Sequence, residues 1–263
     1  MKEKHVYICE NSTAGIFTGI YDAWAAQYGH DNNQILVEEP DNFELFSNFI
    51  YVETDMEKAE KVTRTIQKKI SKDAYVAVYH ATLSKDKMKA DTIYRFLILG
   101  FAMGNRVVEH LSNPYVDHLF KMDLNVKREM FHYEGFLRFV KMGNDVLLGR
   151  FRPENDLLIF MAEHFADRLP QENWLIYDER RIKAAVHRAG SDWVMVENYP
   201  LHLEQDLNQL EEQDEFLNLW KKFVDTIAIK ERTNEKLQLN MLPNRFREFM
   251  PEVKYKSDKH KKS

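Results

Sequence analysis

Only one cysteine, Cys9, occurs in the 263 residues. That excludes an intrachain disulfide, a cysteine-rich zinc site and an iron–sulfur cluster held by this chain alone. Glycine-rich phosphate loops ending in Gly-Lys-Ser/Thr are missing, as are the paired-glycine dinucleotide fingerprint and the His-Glu-x-x-His zinc helix. Gly100 and Gly104 have glycine spacing but fall in a helix-like stretch, where packing explains them. Cys9 ends an apolar run with only His5 near it in sequence, which reads as a small buried hydrophobe rather than a nucleophile. No hydrophobic stretch reaches bilayer length. The apolar run after His5 is too short for a signal peptide, so a cytoplasmic location without membrane contact is expected. Positive charge is short too: the formal net charge is -5 and the pI ≈ 6.1. Proteins that hold duplex nucleic acid through its phosphates usually present a basic surface, so the total argues against tight non-specific binding. Acids gather at Glu38, Glu39, Asp41 and Glu44 and again between Glu204 and Glu215. Residues 252–263 carry Lys254, Lys256, Lys259, Lys261 and Lys262 and read as a basic flexible tail.

Aromatic residues are plentiful, and most belong to a core because burying a ring removes much apolar surface from water. Residues 6–8 read as a first strand. Helices follow from the stripes Ile16, Ile20, Trp24 and Ala59, Val62, Ile66, Ile70, the second opened by Thr54 with Glu57 in a capping box. Ser84 can cap a third through Ile93, Phe96 and Leu97, and Asn113-Pro114 opens a fourth. Residues 75–79 fit a strand or a helix start. The texture changes near Met130: residues 132–140 and 146–152 are strand-like runs joined through Gly143-Asn144-Asp145. A helix through Leu158, Met161, Phe165 and Leu169 follows, capped by Asn155 or Asp156, then short strands at 174–177, 182–187 and 193–196. A long helix is predicted from about 207 to 229. The expected class is α+β. A mostly helical part (1–130), with a short strand or two, packs with a mainly antiparallel sheet and long helix (131–251).

Three polar groups carry chemistry. His132 and Glu134 share one face of the predicted strand with Arg138, a pairing suited to acid–base work because imidazole titrates near neutral pH. His164, Asp167 and Arg168 sit at the end of a helix, where cations are also favoured by the helix dipole alone. Arg180 and Arg181 follow Asp178-Glu179, and Arg245 and Arg247 flank Phe246. Such guanidiniums hold phosphate, or build ion-pair networks. The competing reading of every group is structural. None has metal-ligand spacing, and no resident cofactor is expected.

Four strings are long, ordered and distinctive: His132-Tyr133-Glu134-Gly135-Phe136-Leu137-Arg138-Phe139, His164-Phe165-Ala166-Asp167-Arg168, Trp174-Leu175-Ile176-Tyr177-Asp178-Glu179-Arg180-Arg181, and the segment from Leu219-Trp220 to Leu242-Pro243-Asn244-Arg245-Phe246. They resemble the family called domain of unknown function 4130. The resemblance implies DNA metabolism or repair, because members are encoded beside a DNA-modifying radical S-adenosylmethionine protein and some are fused to a uracil-DNA glycosylase-like domain. With one cysteine, this chain must leave radical chemistry to such a partner. The resemblance therefore implies an accessory protein that contacts DNA, the radical S-adenosylmethionine enzyme, or both. The alternatives are an enzyme acting on a nucleotide or nucleic-acid lesion through His132 and Glu134, and an interaction module unrelated to DNA.

Overall fold

The computed structural model describes residues 3–40, 42, 46–142, 145–198 and 242–250. By contact density the chain divides into two units, Met1–Arg128 and Glu129–Ser263. The long helix expected at 207–229 and the basic tail lie outside the described residues.

The first unit is built on three parallel strands, β1 (Lys4–Ile8), β2 (Asn33–Leu36) and β3 (Ser47–Tyr51), in the order β2-β1-β3. This is one strand more than the expected short strand or two. The pairings are non-local, and Ser47 and Asn48 interrupt the apolar pattern of β3, so the strand carries no local signature. Central β1 is buried from His5 to Ile8, as a strand covered on both faces must be. Helix α1 (Thr13–Ala25) follows, with the Ser12 hydroxyl accepting from the Gly15 amide at 3.0 Å. A Cβ at Gly15 would lie 2.5 Å from the Glu10 carbonyl oxygen, so this strand-to-helix turn requires glycine. Helices α2 (Met56–Lys69), α3 (Lys72–Leu83) and α4 (Lys89–Met103) complete the layer. Asp55 caps α2, accepting from Glu57 and Lys58, while the expected cap Thr54 donates instead to Glu10. Ser84 ends α3 rather than opening α4. Residues 75–79 are helical.

The core of this unit joins Ile16, Phe17, Ile20, Ile35, Ile66, Val78, Ile93 and Phe96. Gly100 packs directly on Ile70, confirming that its spacing serves packing. Cys9 is buried, and burial pushes its thiol up to about 12, so it stays protonated and unreactive at neutral pH.

Helix α5 (Pro114–Phe136) begins with the Asn113 side chain accepting from the Tyr115 amide. Within the first unit its Asp123 meets His80 of α3 at 2.6 Å and Lys127 at 2.8 Å. Burial pushes the Asp123 carboxyl up, but the His80 and Lys127 hydrogen bonds and charges more than offset this and leave it lowered. A lowered folded value means stability that is present above the unfolded value and lost as pH falls through the folded one. Asp123→Asn is therefore expected to cost about 1–3 kcal/mol at neutral pH. Amide exchange in α3 and α5 should show the gap closing as pH drops below the ordinary carboxyl value of 3.8. A gap independent of pH would contradict the ionic pairing.

The second unit contains a five-stranded mixed sheet in the order β4-β5-β6-β7-β8: β4 (Phe139–Met142), β5 (Val146–Phe151), β6 (Asn173–Asp178), β7 (Lys183–His187) and β8 (Val194–Val196). All pairs are antiparallel except β5–β6, which α6 (Leu158–Arg168) connects. Gly149 faces Phe139 across the β4–β5 pair, and an added Cβ would press on that ring at 3.0 Å. The α+β class holds.

The strand expected at 132–140 is a helix as far as Phe136. Buried residues on α5 fall at Val116, Leu119, Met122, Val126, Glu129 and Tyr133, a helical period carried through the aromatic stretch. His132 and Glu134 consequently point roughly 200° apart rather than sharing a face.

Candidate functional site

At the carboxyl ends of β5 and β6, charged residues form a lattice that holds the fold. Asp178 is fully buried, and its carboxylate accepts from the Arg180 amide (2.9 Å), the Arg181 amide (3.2 Å) and Arg181 Nη1 (3.0 Å). The Arg181 guanidinium also donates to the Pro153 and Glu154 carbonyls. Buried Glu129 accepts from the Glu154 and Asn155 amides, both at 2.9 Å, and from Asn155 Nδ2 at 2.6 Å. Asn155 is thus spent on Glu129, and α6 starts without a side-chain cap.

Residues 242–250 dock against this lattice. Phe246 is buried among His132, Tyr133 and Phe136, with ring centroids 4.8–5.8 Å apart. Arg245 pairs with Glu154 at 2.9 Å, Glu248 with Arg152 at 2.9 Å, and the Arg150 guanidinium lies over the Phe249 ring. Arg150 and Arg152 both hold Glu179.

The acid–base candidates do not converge. His132 sits in the aromatic cluster with its Nδ1 buried and unpartnered. His164 Nδ1 is 4.0 Å from Glu134 Oε1, a weak contact, while its Nε2 is buried without a partner. Asp167 faces elsewhere. Among the arginines, Arg138 donates to the Gly135 and Leu137 carbonyls, and Arg247 Nε to the Leu242 carbonyl. Arg181 and Arg245 are tied up as above. The exposed Arg168 and Arg180 have guanidiniums without a partner among the described residues, and they stand on separate elements, α6 and the β6–β7 turn.

What the structure does assemble is an open cleft of ≈ 730 Å³ around the end of α6 and the turn after β7, lined by Glu163, Asp167, His187, Ser191, Asp192 and Trp193 among others. His187 is buried and stacks on Trp174, with centroids 4.8 Å apart and planes 6° from parallel. Its Nδ1 is 2.9 Å from the Glu172 carbonyl, which can only accept. Nδ1 therefore carries the proton, and in the neutral ring Nε2 is an acceptor. The floor is fixed by backbone bonds from Gly190 to Pro170 and from Ser191 to Arg188. Glu163 and Asp167 are four apart on α6, so they repel each other, and Asp167 lies in the last turn, where the helix dipole disfavours negative charge. Neither they nor Asp192 pair with a cation among the described residues. Of these residues the sequence had marked only Asp167. His187 ends an ordinary strand, and its defining partner is a backbone carbonyl, which no side-chain pattern encodes.

A family model described as domain of unknown function (DUF4130) matches residues 87–252. Comparison with curated proteins finds no match. The expected DNA-repair role beside a radical S-adenosylmethionine partner is corrected on these findings. The matched family carries no assigned activity, and among the described residues no three His, Cys, Asp or Glu stand together as potential metal ligands. The label thus has no chemical footing in the residues described. Among them, too, no helix is long and apolar enough to cross a membrane.

Proposed function

The chain belongs to the DUF4130 family, and from that premise we propose that it serves as an accessory binding module that recognises a lysine- or arginine-bearing segment of a partner protein. The observation that carries this reading is the set of carboxylates in one cleft, Glu163, Asp167 and Asp192, that meet no cation among the described residues. Glu163 and Asp167 repel each other across one helical turn, and Asp167 also stands at a helix end that disfavours negative charge, so a bound cation would relieve both costs. Trp193 adds an indole in the same cleft, on which a guanidinium or ammonium group can lie. The same field repels phosphate, which favours a basic peptide over nucleic acid. The scattered arginines and separated histidines support binding over catalysis.

Calorimetric titration of the full chain with a decapeptide of alternating lysine and arginine tests the reading. Glu163→Gln, Asp167→Asn and Asp192→Asn together should weaken binding about tenfold, the sum expected of three rim charges. Removing three carboxylates elsewhere, through Asp31→Asn, Glu53→Gln and Glu109→Gln, should change it little. Affinity should also fall as salt rises. Equal loss in both triple variants would reduce the effect to net charge. A chain that held single-stranded or duplex DNA but not the peptide would overturn the reading.

A further inference from the structure

A second concavity lies wholly within the first unit and has the opposite chemistry. It is formed by α1, α2 and the end of α4, and its volume of ≈ 340 Å³ falls in the range of small-ligand sites. Ile20 and Val62, both buried, supply aliphatic lining. The Trp24 indole and Phe101 ring meet edge to face, centroids 5.2 Å apart and planes at 72°, and Tyr21 adds a third ring. Two ammonium groups belong to the same pocket. Lys61 Nζ is 5.9 Å from the Tyr21 ring centroid, and Lys69 Nζ is 5.9 Å from that of Phe101.

The two lysines differ from their neighbour Lys58, which is paired with Asp22 at 2.8 Å. Neither Lys61 nor Lys69 meets a carboxylate among the described residues. The Thr65 hydroxyl donates to the Lys61 carbonyl at 2.6 Å, so its proton is already committed. The pocket therefore offers flat apolar surface for a ring and uncompensated positive charge for an anion. A neutral ring would leave the cations unanswered, and a bare anion would leave the aromatic walls wet.

We propose that this pocket binds a small aromatic ring, roughly one or two rings in size, that carries a phosphate or carboxylate group. The ring stacks against Trp24, Tyr21 and Phe101, and Lys61 and Lys69 hold the anion. The site is independent of the acidic cleft of the second unit.

Titration of the full chain with 1-naphthyl phosphate, 1-naphthol and inorganic phosphate separates the two contributions. The naphthyl phosphate should bind about tenfold more tightly than naphthol, a difference of about 1.4 kcal/mol, and inorganic phosphate should show no saturable binding. Lys61→Gln with Lys69→Gln should bring naphthyl phosphate down to the level of naphthol and leave naphthol unchanged. Both lysines are exposed on α2, so the fold does not depend on them. Phe101→Ala should weaken both aromatic ligands. Equal binding of naphthol and naphthyl phosphate to the parent chain would overturn the proposal, as would a phosphate preference that survives the lysine substitutions. Phosphate alone binding as tightly as naphthyl phosphate would also overturn it. The triple variant of Glu163, Asp167 and Asp192 should leave naphthyl phosphate binding unchanged, which keeps this test separate from that of the cleft.

Discussion

Replacing Arg181 with alanine is expected to cost about 3–5 kcal/mol of stability at neutral pH, because it strands a buried charge. The charge is that of Asp178, none of whose surface is exposed. Two backbone amides would still reach the carboxylate, but the guanidinium contact at 3.0 Å would be gone, and the Pro153 and Glu154 carbonyls would lose a donor. Burial already holds the Asp178 carboxyl above its ordinary value, against the opposing pull of Arg181 charge and hydrogen bonding. A raised folded value means a contribution to stability that is complete below the unfolded value and lost as pH rises through the folded one. Removing Arg181 takes away the largest opposing pull and raises the folded value further. The deficit of Arg181→Ala should therefore be greatest at neutral pH and shrink on acidification, as a neutral carboxyl no longer needs a cation. Urea unfolding of parent and variant across that range checks the sign. Adding Asp178→Asn to the variant should recover part of the loss at neutral pH. A deficit that stayed constant with pH would show that lost packing, not the charge, dominates.

Glu129→Ala should cost about 3 kcal/mol or more, since it removes the acceptors of two backbone amides and one side-chain amide at the exit of β5. The change leaves a space and orphaned donors in a place that water reaches poorly, because Glu129 is only 1% exposed. Glu129→Gln keeps one acceptor oxygen but aims an amide at the remaining donors, so its cost should be intermediate. Hydrogen exchange at the Glu154 and Asn155 amides gives a local readout. Both should lose protection in the alanine variant well before the β6–β7 pair does. Unchanged protection there would mean that the turn is held by something other than this carboxylate.

Elements with a local code were legible. The β4–β5 hairpin announced itself through Gly143-Asn144-Asp145, and Asp145 does adopt a positive φ of 58°. Strands β6 to β8 were fixed by short apolar runs between turn residues. The far end of α5 was not, because Phe131, Tyr133 and Phe136 favour extended structure locally while the burial period along the helix overrides them. Glu129 hides that period further: a search for apolar residues passes over a core position filled by a carboxylate whose partners are backbone amides. The β6–β7 turn was legible in place but not in extent: Ile182, expected to open the strand, belongs to the turn at a φ of 56°, which a β-branched residue rarely adopts. Of the candidate residues, the sequence identified side chains with the right chemistry but not their company. Arg181 and Arg245 fit phosphate or an ion-pair network equally well as text, and the packed lattice shows them in ion pairs. In the cleft, Asp167 gains its neighbours Asp192 and His187 through the β5–α6–β6 crossover and the β7 turn, contacts that lie about 20–25 residues away along the chain.

The docking of Phe246 has a consequence for synthesis. The ion pairs that secure its segment join residues 91 and 96 positions apart, from Glu154 to Arg245 and from Arg152 to Glu248. A ribosome adding about 5–20 residues per second delivers the partners several seconds apart. During that interval His132, Tyr133 and Phe136 have been made but lack the ring that closes over them. Among the described residues, the core of the first unit draws on none beyond Met122, whereas the aromatic cluster of the second waits for Phe246. A nascent chain interrupted before residue 242 would thus lack the ring that packs on His132, Tyr133 and Phe136, and aromatic surface left open in this way is the kind of feature that chaperones bind and that drives aggregation.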